Sequence, residues 1–334
     1  MAIAFSKSSG LNDGLWKGVD RALIAVMQDT DNEKNHDDEL VKALFNVKKS
    51  KKFGERTTGL TSFSNFDIVE EGVSAPLDDL QEGMGKLVQH KQFMKKFICT
   101  AEMAEDADID TMKTASANFV RAYKRSRAEF ASKALSSQGG NFVYGSTTLD
   151  KTTGDGEALF SVAHRGAKTG TDTQSNVFTN AFGEDSRTLY RLANVGRNFK
   201  NDSGQMMGYT FDTIVVPVNC PDMEDTIKRI IRSDLMPGSS YNDVNTQKGL
   251  WKLVVDHHWQ VAEGKNPFIL LSSQANRDLL GNIFYDRVGL KVMNEVNIDN
   301  HNLEWSGRCR FSAGFGNWRQ VIMGGADSGT ELAD

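Results

Sequence analysis

Cysteine and proline are scarce in this chain. Its 334 residues include 3 Cys and 5 Pro. Cys99, Cys220 and Cys309 lie far apart and no C-x-x-C pair occurs, which excludes a disulfide scaffold and a cysteine-built zinc site and suits a reducing compartment. Long apolar runs are missing too: none approaches the ~20 residues that a membrane-spanning helix needs. The opening Met-Ala-Ile-Ala-Phe-Ser lacks the apolar centre of a signal peptide, so no export signal is expected and assembly in a cytoplasm is. A basic excess is also missing. Lys and Arg total 39 against 44 Asp and Glu, a net charge of −5. Proteins that grip DNA tightly carry surplus positive charge, so any contact with nucleic acid here should be weak and without sequence specificity. No internal repeat occurs, which excludes a solenoid.

Catalytic motifs are equally sparse. No P-loop, H-E-x-x-H or G-x-S-x-G pattern is present. Gly154-Asp-Gly156 resembles half of a dinucleotide fingerprint, but no third glycine follows at the right spacing and no strong strand precedes it, so a flexible loop is expected. Asp256-His257-His258 invites a metal. Adjacent residues on a strand point to opposite faces, so a structural or surface role is expected instead. Ser161-Val-Ala-His164 offers a nucleophile and a base, yet nothing in the sequence supplies their acid partner or an oxyanion hole. No catalytic, cofactor-binding or metal-ligating residue is assigned, and an enzyme is not expected.

What is present is an ordinary globular balance, with 39% hydrophobic and 25% charged residues. The length allows one large or two modest domains. Residues 1–50 read as an extended arm with short helical pieces. Leu15, Val19, Leu23, Ile24 and Met27 have helical spacing, 29–39 is polar and acidic, and Leu40, Val41, Leu44 and Phe45 form a short amphipathic stretch. Lys48, Lys49, Lys51 and Lys52 read as a solvated edge.

Residues 53–100 do not look like a domain core. Strand-like segments at 55–68 and 86–100 flank a middle with Gly72, Pro76, Asp78, Asp79, Glu82, Gly83 and Gly85. In the second segment Phe93, Phe97, Cys99 and Ala101 share one face, and His90, Gln92, Lys96 and Thr100 the other. A long hairpin with polar faces is unstable alone and needs a partner surface.

The clearest helix covers 106–138. Asp106, Asp108 and Asp110 open it, Ile109, Met112, Phe119, Val120, Tyr123, Phe130, Ala134 and Leu135 line it, and Gly139-Gly140 stops it. Its span is ~45 Å at 1.5 Å per residue. Arg121, Lys124, Arg125, Arg127 and Lys133 read as a solvated or subunit-facing stripe. Beyond it, 141–180 reads as loops with short strands and 184–200 as an amphipathic helix. A buried strand is expected at 210–217, then a helix opened by Pro221 and ended by Pro237-Gly238. Strands follow at 250–255, 268–271, 279–285 and 290–298. The alternation Trp305, Gly307, Cys309, Phe311, a turn near Gly314-Phe-Gly316 and a resumption at 318–322 suggest a hairpin. Such a mixture of helices and antiparallel strands suggests the α+β class.

Several segments, in order, resemble one family. Lys86-Leu-Val-Gln-His-Lys-Gln-Phe-Met-Lys-Lys-Phe-Ile-Cys-Thr-Ala-Glu-Met-Ala-Glu-Asp106 is similar to a returning E-loop strand leading into a spine helix. Phe119-Val-Arg-Ala-Tyr-Lys-Arg-Ser-Arg-Ala-Glu-Phe-Ala-Ser-Lys-Ala-Leu135 is similar to that spine helix. Leu159-Phe-Ser-Val-Ala-His164 resembles the loop after it. Phe211-Asp-Thr-Ile-Val-Val-Pro217 through Pro237-Gly-Ser-Ser-Tyr-Asn-Asp-Val-Asn245 resembles an axial-domain strand, helix and loop. Trp305-Ser-Gly-Arg-Cys-Arg-Phe-Ser-Ala-Gly-Phe-Gly-Asn-Trp-Arg-Gln-Val321 resembles a closing hairpin.

Each segment is weak alone; their order from about residue 53 onward makes the chain resemble the Mu-like major head proteins, a branch of the HK97-like capsid fold. The resemblance implies an N-terminal arm at 1–52, an E-loop at 53–100, a peripheral domain at 101–138 and 299–334 with the spine helix, and an axial domain at 139–298. It implies a structural subunit that assembles with itself as hexamers and pentamers into an icosahedral virion shell around packaged double-stranded DNA. An encapsulin-like compartment shell or another phage-like structural component is the alternative. Portal and scaffolding proteins are implied partners, a decoration protein is a further candidate, and no membrane is involved. A scaffold would be separate or already removed. No cofactor is implied.

Overall fold

A computed structural model describes residues 4–5, 16–60, 63–78, 82–106, 108–166, 173–183, 187–237 and 243–332. Leu15, Asp79, residues 184–186 of the expected helix and 238–242 of the resembling segment lie outside them.

The elements run in the order β1 (Ala4–Phe5), α1 (Trp16–Asn32), α2 (His36–Leu44), β2 (Asn46–Lys49), β3 (Gly54–Leu60), β4 (Glu82–Gln89), β5 (Lys91–Cys99), α3 (Ala101–Glu105) and α4 (Ile109–Ser136). They continue with β6 (Asn141–Tyr144), β7 (Thr147–Asp150), β8 (His164–Arg165), β9 (Thr173–Gln174), α5 (Arg187–Arg197), β10 (Thr213–Pro217) and α6 (Pro221–Arg232). The chain closes with β11 (Lys252–Asp256), β12 (Phe268–Leu271), α7 (Ser273–Asp278), β13 (Asn282–Val296), β14 (Leu303–Phe315) and β15 (Val321–Gly324). The class is mixed α+β.

Two sheets carry the molecule. The first is built on the long antiparallel pair β13–β14, with β5 antiparallel on the outer edge of β14, and β2 and β1 both parallel to β13. From Leu303 to Phe311 every second residue of β14 is buried, and that face lies under α4. Gly307 shows how close the helix comes: a Cβ there would stand 2.5 Å from the Phe119 ring. Further along, Phe93 stacks on Phe311 at 4.1 Å, and Phe130 meets Phe311 edge-on at 5.3 Å. These rings knit β5, β14 and α4 into one core, offset and edge-to-face as their quadrupoles prefer.

The second sheet has the order β11-β10-β12-β15. Its central strands read as unbroken apolar runs because both faces are covered. Ile214, Val216, Phe268, Leu270 and Ile322 turn toward α5 and α6, while Val215, Ile269, Leu271, Val321 and Met323 turn toward the α4 core. The 28-residue α4, about 42 Å long at 1.5 Å per residue, is the rod against which α1, α2 and the first sheet pack.

Several expectations are corrected. The hairpin expected at 303–323 does not form. β14 pairs with β13 and β5, whereas β15 pairs with β12 in the other sheet, so residues 316–320 cross between sheets. The strand expected at 86–100 is two strands: β4 pairs with β3, and β5 joins the first sheet. Strands expected at 279–285 and 290–298 are one, β13, which starts at Asn282 because Leu280 takes a left-handed φ of 51°. The helix opened by Pro221 ends at Arg232, capped at Ser233, ahead of Pro237. The helix over 106–138 starts at Ile109, with Asp108 as its N-cap accepting from Thr111 N at 3.3 Å. Within the expected arm, α1 and α2 are packed elements: Trp16, Leu23, Met27, Leu40, Val41 and Leu44 are all buried. Among the described residues no helix is long and apolar enough to cross a membrane.

Candidate assembly surface and its polar anchors

Among the described residues β3 and β4 form a two-stranded hairpin that pairs with no third strand. Its root is tied to the body at three places. Lys86 Nζ lies 2.8 Å from Asp150 Oδ2 and donates to Thr152 Oγ1 at 2.6 Å, with the Thr152 carbonyl also in reach, so the hairpin is pinned to the end of β7. Burial pulls the Lys86 ammonium below its usual pKa. Burial pushes the Asp150 carboxyl up, but hydrogen bonds from Lys86 and Thr152 outweigh it and hold the group below the usual value. The opposite tendencies coexist because the lysine is enclosed and the carboxylate is mostly exposed. Second, Val88 is buried against Ile283 and Tyr285 and fills the space a side chain on Gly314 would need.

The third tie is His90, at the corner between β4 and β5. Its Nε2 is 2.9 Å from Ser50 Oγ and its Nδ1 2.9 Å from Ser312 Oγ. Ser50 donates its own proton to Glu55 Oε1 at 2.8 Å, so it accepts from Nε2–H, and Nδ1 accepts from Ser312. That fixes one neutral tautomer and links β2, β3, β5 and β14 at one buried point.

Beyond the root the chain presents bare apolar side chains. Phe66 and Ile68 are fully exposed, Leu77 nearly so, and Phe63 and Val73 largely exposed, while Phe53 and Leu87 are exposed at the root itself. Residues 63–70 and 73–78 have no helix or strand of their own. Scattered exposed apolar residues are ordinary; here they are concentrated in one stretch of the chain, the pattern typical of interaction surfaces.

The residues singled out for chemistry fare differently. Gly154-Asp-Gly156 is a closed turn and not a loose loop. Gly156 N donates to Thr153 O at 3.1 Å, Gly156 takes a φ of 85°, and Asp155 accepts from Thr153 Oγ1 and Glu157 N. No helix follows it to receive a phosphate. His164 does have an acid partner: Nδ1 is 2.7 Å from Asp155 Oδ2. Its Nε2 faces the Leu159 carbonyl at 3.3 Å, and Ser161 Oγ donates to Glu157 Oε2 at 3.3 Å. Base and hydroxyl therefore do not meet. His164 is fully buried, stacked on Trp318 at 4.4 Å, and locks the loop. Burial pushes the Asp155 carboxyl up, but the hydrogen bond and charge of His164 outweigh it and keep the group below its usual pKa.

His257 and His258 do not take the opposite-facing strand positions expected of them. They lie in a turn after β11, not on the strand, and both Nε2 atoms converge on Asp37 Oδ1, at 2.8 and 3.0 Å. Asp37 sits 220 residues earlier, in the first turn of α2, where no sequence pattern connects it to them.

The basic stripe of α4 is corrected in part. Lys124 is 2% exposed and donates to the carbonyls of Thr30, Asp31 and Glu33 at 3.0, 2.8 and 2.9 Å, closing the C-terminal end of α1. Arg127 is buried between Asp38 at 3.0 Å and Asp286 at 2.7 Å. Both bind α4 to its own subunit, whereas Arg121 and Arg125 are exposed. The same device ends α4: the wholly buried Lys151 donates to Leu135 O at 2.8 Å and to Ser137 O, meeting orphan carbonyls at the negative end of the helix.

No family model and no curated protein matches the sequence. Solved structures do match. The chain is similar to a structure of Mycobacterium phage Patience at 12% identity and a TM-score of 0.52, over 98% of this chain and 94% of that one. It is similar to the capsid of an empty GTA particle at 8% identity and a TM-score of 0.53, over 88% and 91% of the two chains. A structure of Gordonia phage Cozz matches at 9% identity and a TM-score of 0.50, over 88% and 87%. With sequence likeness this low and coverage this complete, what the chain shares with these structures, the capsid of the GTA particle among them, is the fold alone.

Proposed function

We propose that this chain is the major capsid protein of a tailed phage, with the HK97-like arrangement, and that it assembles with itself as hexamers and pentamers into an icosahedral head. One observation carries the reading: a capsid-type fold bears a two-stranded hairpin whose connecting segment exposes Phe63, Phe66, Ile68, Val73 and Leu77. A neighbouring copy is the occupant, because a shell is made of repeated heterologous contacts that close on themselves. In this reading 1–52 is the arm, 139–281 is the axial domain, and β13, which the expected bounds of 139–298 put in the axial domain, joins α4, β5 and β14 in the peripheral domain. The E-loop is the part of 53–100 between Gly54 and Gln89. No step of chemistry is assigned to any residue. The packaged DNA touches the shell without sequence specificity, and the net charge of −5 keeps a dense inner surface from adhering to it. A scaffolding protein and a portal complete the assembly in the host cytoplasm.

The test is expression of the chain, with its scaffold where required, and negative-stain microscopy of the product. Shells or capsomer-sized rings are expected. A stable monomer under all such conditions sinks the proposal. Deleting 60–84 should leave a folded subunit that no longer forms stable shells.

A further inference from the structure

We propose that Asp37, His257 and His258 bind one divalent transition-metal ion, which braces α2 against the turn after β11. The three donor atoms, one carboxylate oxygen and two imidazole nitrogens, lie within 4.8 Å of one another. Ligands held ~2.0–2.1 Å from a tetrahedral ion stand ~3.3–3.4 Å apart. The two oxygen–nitrogen separations of 2.8 and 3.0 Å are slightly short of that, so small ring rotations admit an ion between them. Two imidazoles with one carboxylate suit zinc and its neighbours; magnesium and calcium favour oxygen alone.

The surroundings hold these donors in place. Asn35 caps α2 and accepts from Asp37 N at 3.1 Å, fixing the backbone that carries the carboxylate. Asp256 Oδ1 accepts from His258 N at 2.9 Å, setting the turn. His36 stacks on His257 at 4.7 Å and restricts that ring. Binding requires each Nε2 to present its lone pair, which moves the ring proton to Nδ1. Among the described residues the buried His257 Nδ1 has no hydrogen-bond partner, so the move breaks no bond there but leaves an N–H without an acceptor, a cost the metal bonds must exceed. The side chains of Asp37, His257 and His258 are 14%, 31% and 13% exposed, so an ion can reach them from solvent.

The consequence is mechanical. The ion would join residues 220 apart in sequence, linking the N-terminal helices to the second sheet. The reading is independent of the assembly proposal, because it concerns binding to the single subunit.

The experiment uses the full chain stripped with a chelator and titrated with zinc against a chromophoric competitor. One zinc per chain is expected. Asp37→Asn and His258→Gln should each weaken binding by at least ~10-fold, since even outer ligand-orienting partners are worth that much. Zinc should raise the thermal midpoint of the wild type and not of the variants. Absence of stoichiometric binding, equal affinity in the variants, or equal competition by magnesium would overturn the site. If the variants misfold, X-ray absorption of the zinc-loaded wild type decides: two imidazoles in the first shell support it, and none or one refutes it.

Discussion

Lys86 and Asp150 stand 2.8 Å apart across the joint between the hairpin and the subunit body. The pair sets a largely enclosed ammonium within β4, opposite Thr57 of β3, with the Thr152 carbonyl and hydroxyl completing its shell. Lys86→Met should destabilise the subunit by only about 1–2 kcal/mol, because water reaches the mostly exposed Asp150 and replaces much of what the lost bonds to Asp150 and Thr152 supplied. Its larger effect should be local. Hydrogen exchange in 82–89 should accelerate while α4 stays protected. Asp150→Asn should change little, because its carboxylate is largely solvated.

Lys124 and Arg127 lead to stronger effects. Removing the Arg127 guanidinium strands Asp286 in the core, so Arg127→Met should cost about 3–5 kcal/mol in urea unfolding. Lys124→Met uncovers the carbonyls of Thr30, Asp31 and Glu33 and should cost about 2–4 kcal/mol. Arg121→Met, at an exposed site, should stay within about 0.5 kcal/mol of wild type. Equal costs at positions 121 and 124 would refute the internal role of Lys124.

His90 gives the hairpin root a pH dependence. Burial, followed in order by the opposing charge of Glu55 and the like charges of Arg287 and Arg310, leaves its pKa below the usual 6.5. The unfolded chain therefore binds the proton more readily than the folded one. Stability from the neutral ring is complete above pH 6.5 and falls as the pH drops below it. Comparing urea midpoints on the two sides of pH 6.5 checks this, and His90→Gln should flatten that part of the profile.

Gly307 is a test of packing. A Cβ there would stand 2.5 Å from the Phe119 ring, pushing α4 off β14. Gly307→Ala should cost about 1–3 kcal/mol, and a thermal midpoint equal to wild type would contradict the close approach.

On the exposed segment the signs separate function from folding. Phe66→Ser with Ile68→Ser removes apolar surface that touches nothing in the subunit. The unfolding midpoint should stay unchanged while shells fail to form under conditions where the wild type assembles. Normal assembly of that variant would remove the segment from the interface.

Local pattern carried much of this molecule. The helical spacing of Met112, Phe119, Val120 and Phe130, the acidic start at Asp108 and the stop at Gly139 define α4 before any contact is known. Alternation around Trp305 and Phe311 marks β14, and a polar hairpin without a core implies a partner. The β15 error also had a visible signal. Val321, Ile322 and Met323 are apolar on consecutive positions, which fits a strand covered on both faces and not the half-buried partner of β14.

What the sequence determined, then, was period: which stretches wind, which extend, and which face of each is apolar. Period depends on neighbours three or four residues apart, and those are read directly. Tertiary structure alone decided which strand takes which partner, that Lys124 and Arg127 face inward on a helix side that reads as polar, and that Asp37 meets His257 and His258. Each of these joins residues far apart in sequence through burial in a common core. There an ammonium finds carbonyls and a carboxylate finds imidazoles only after the apolar faces have packed.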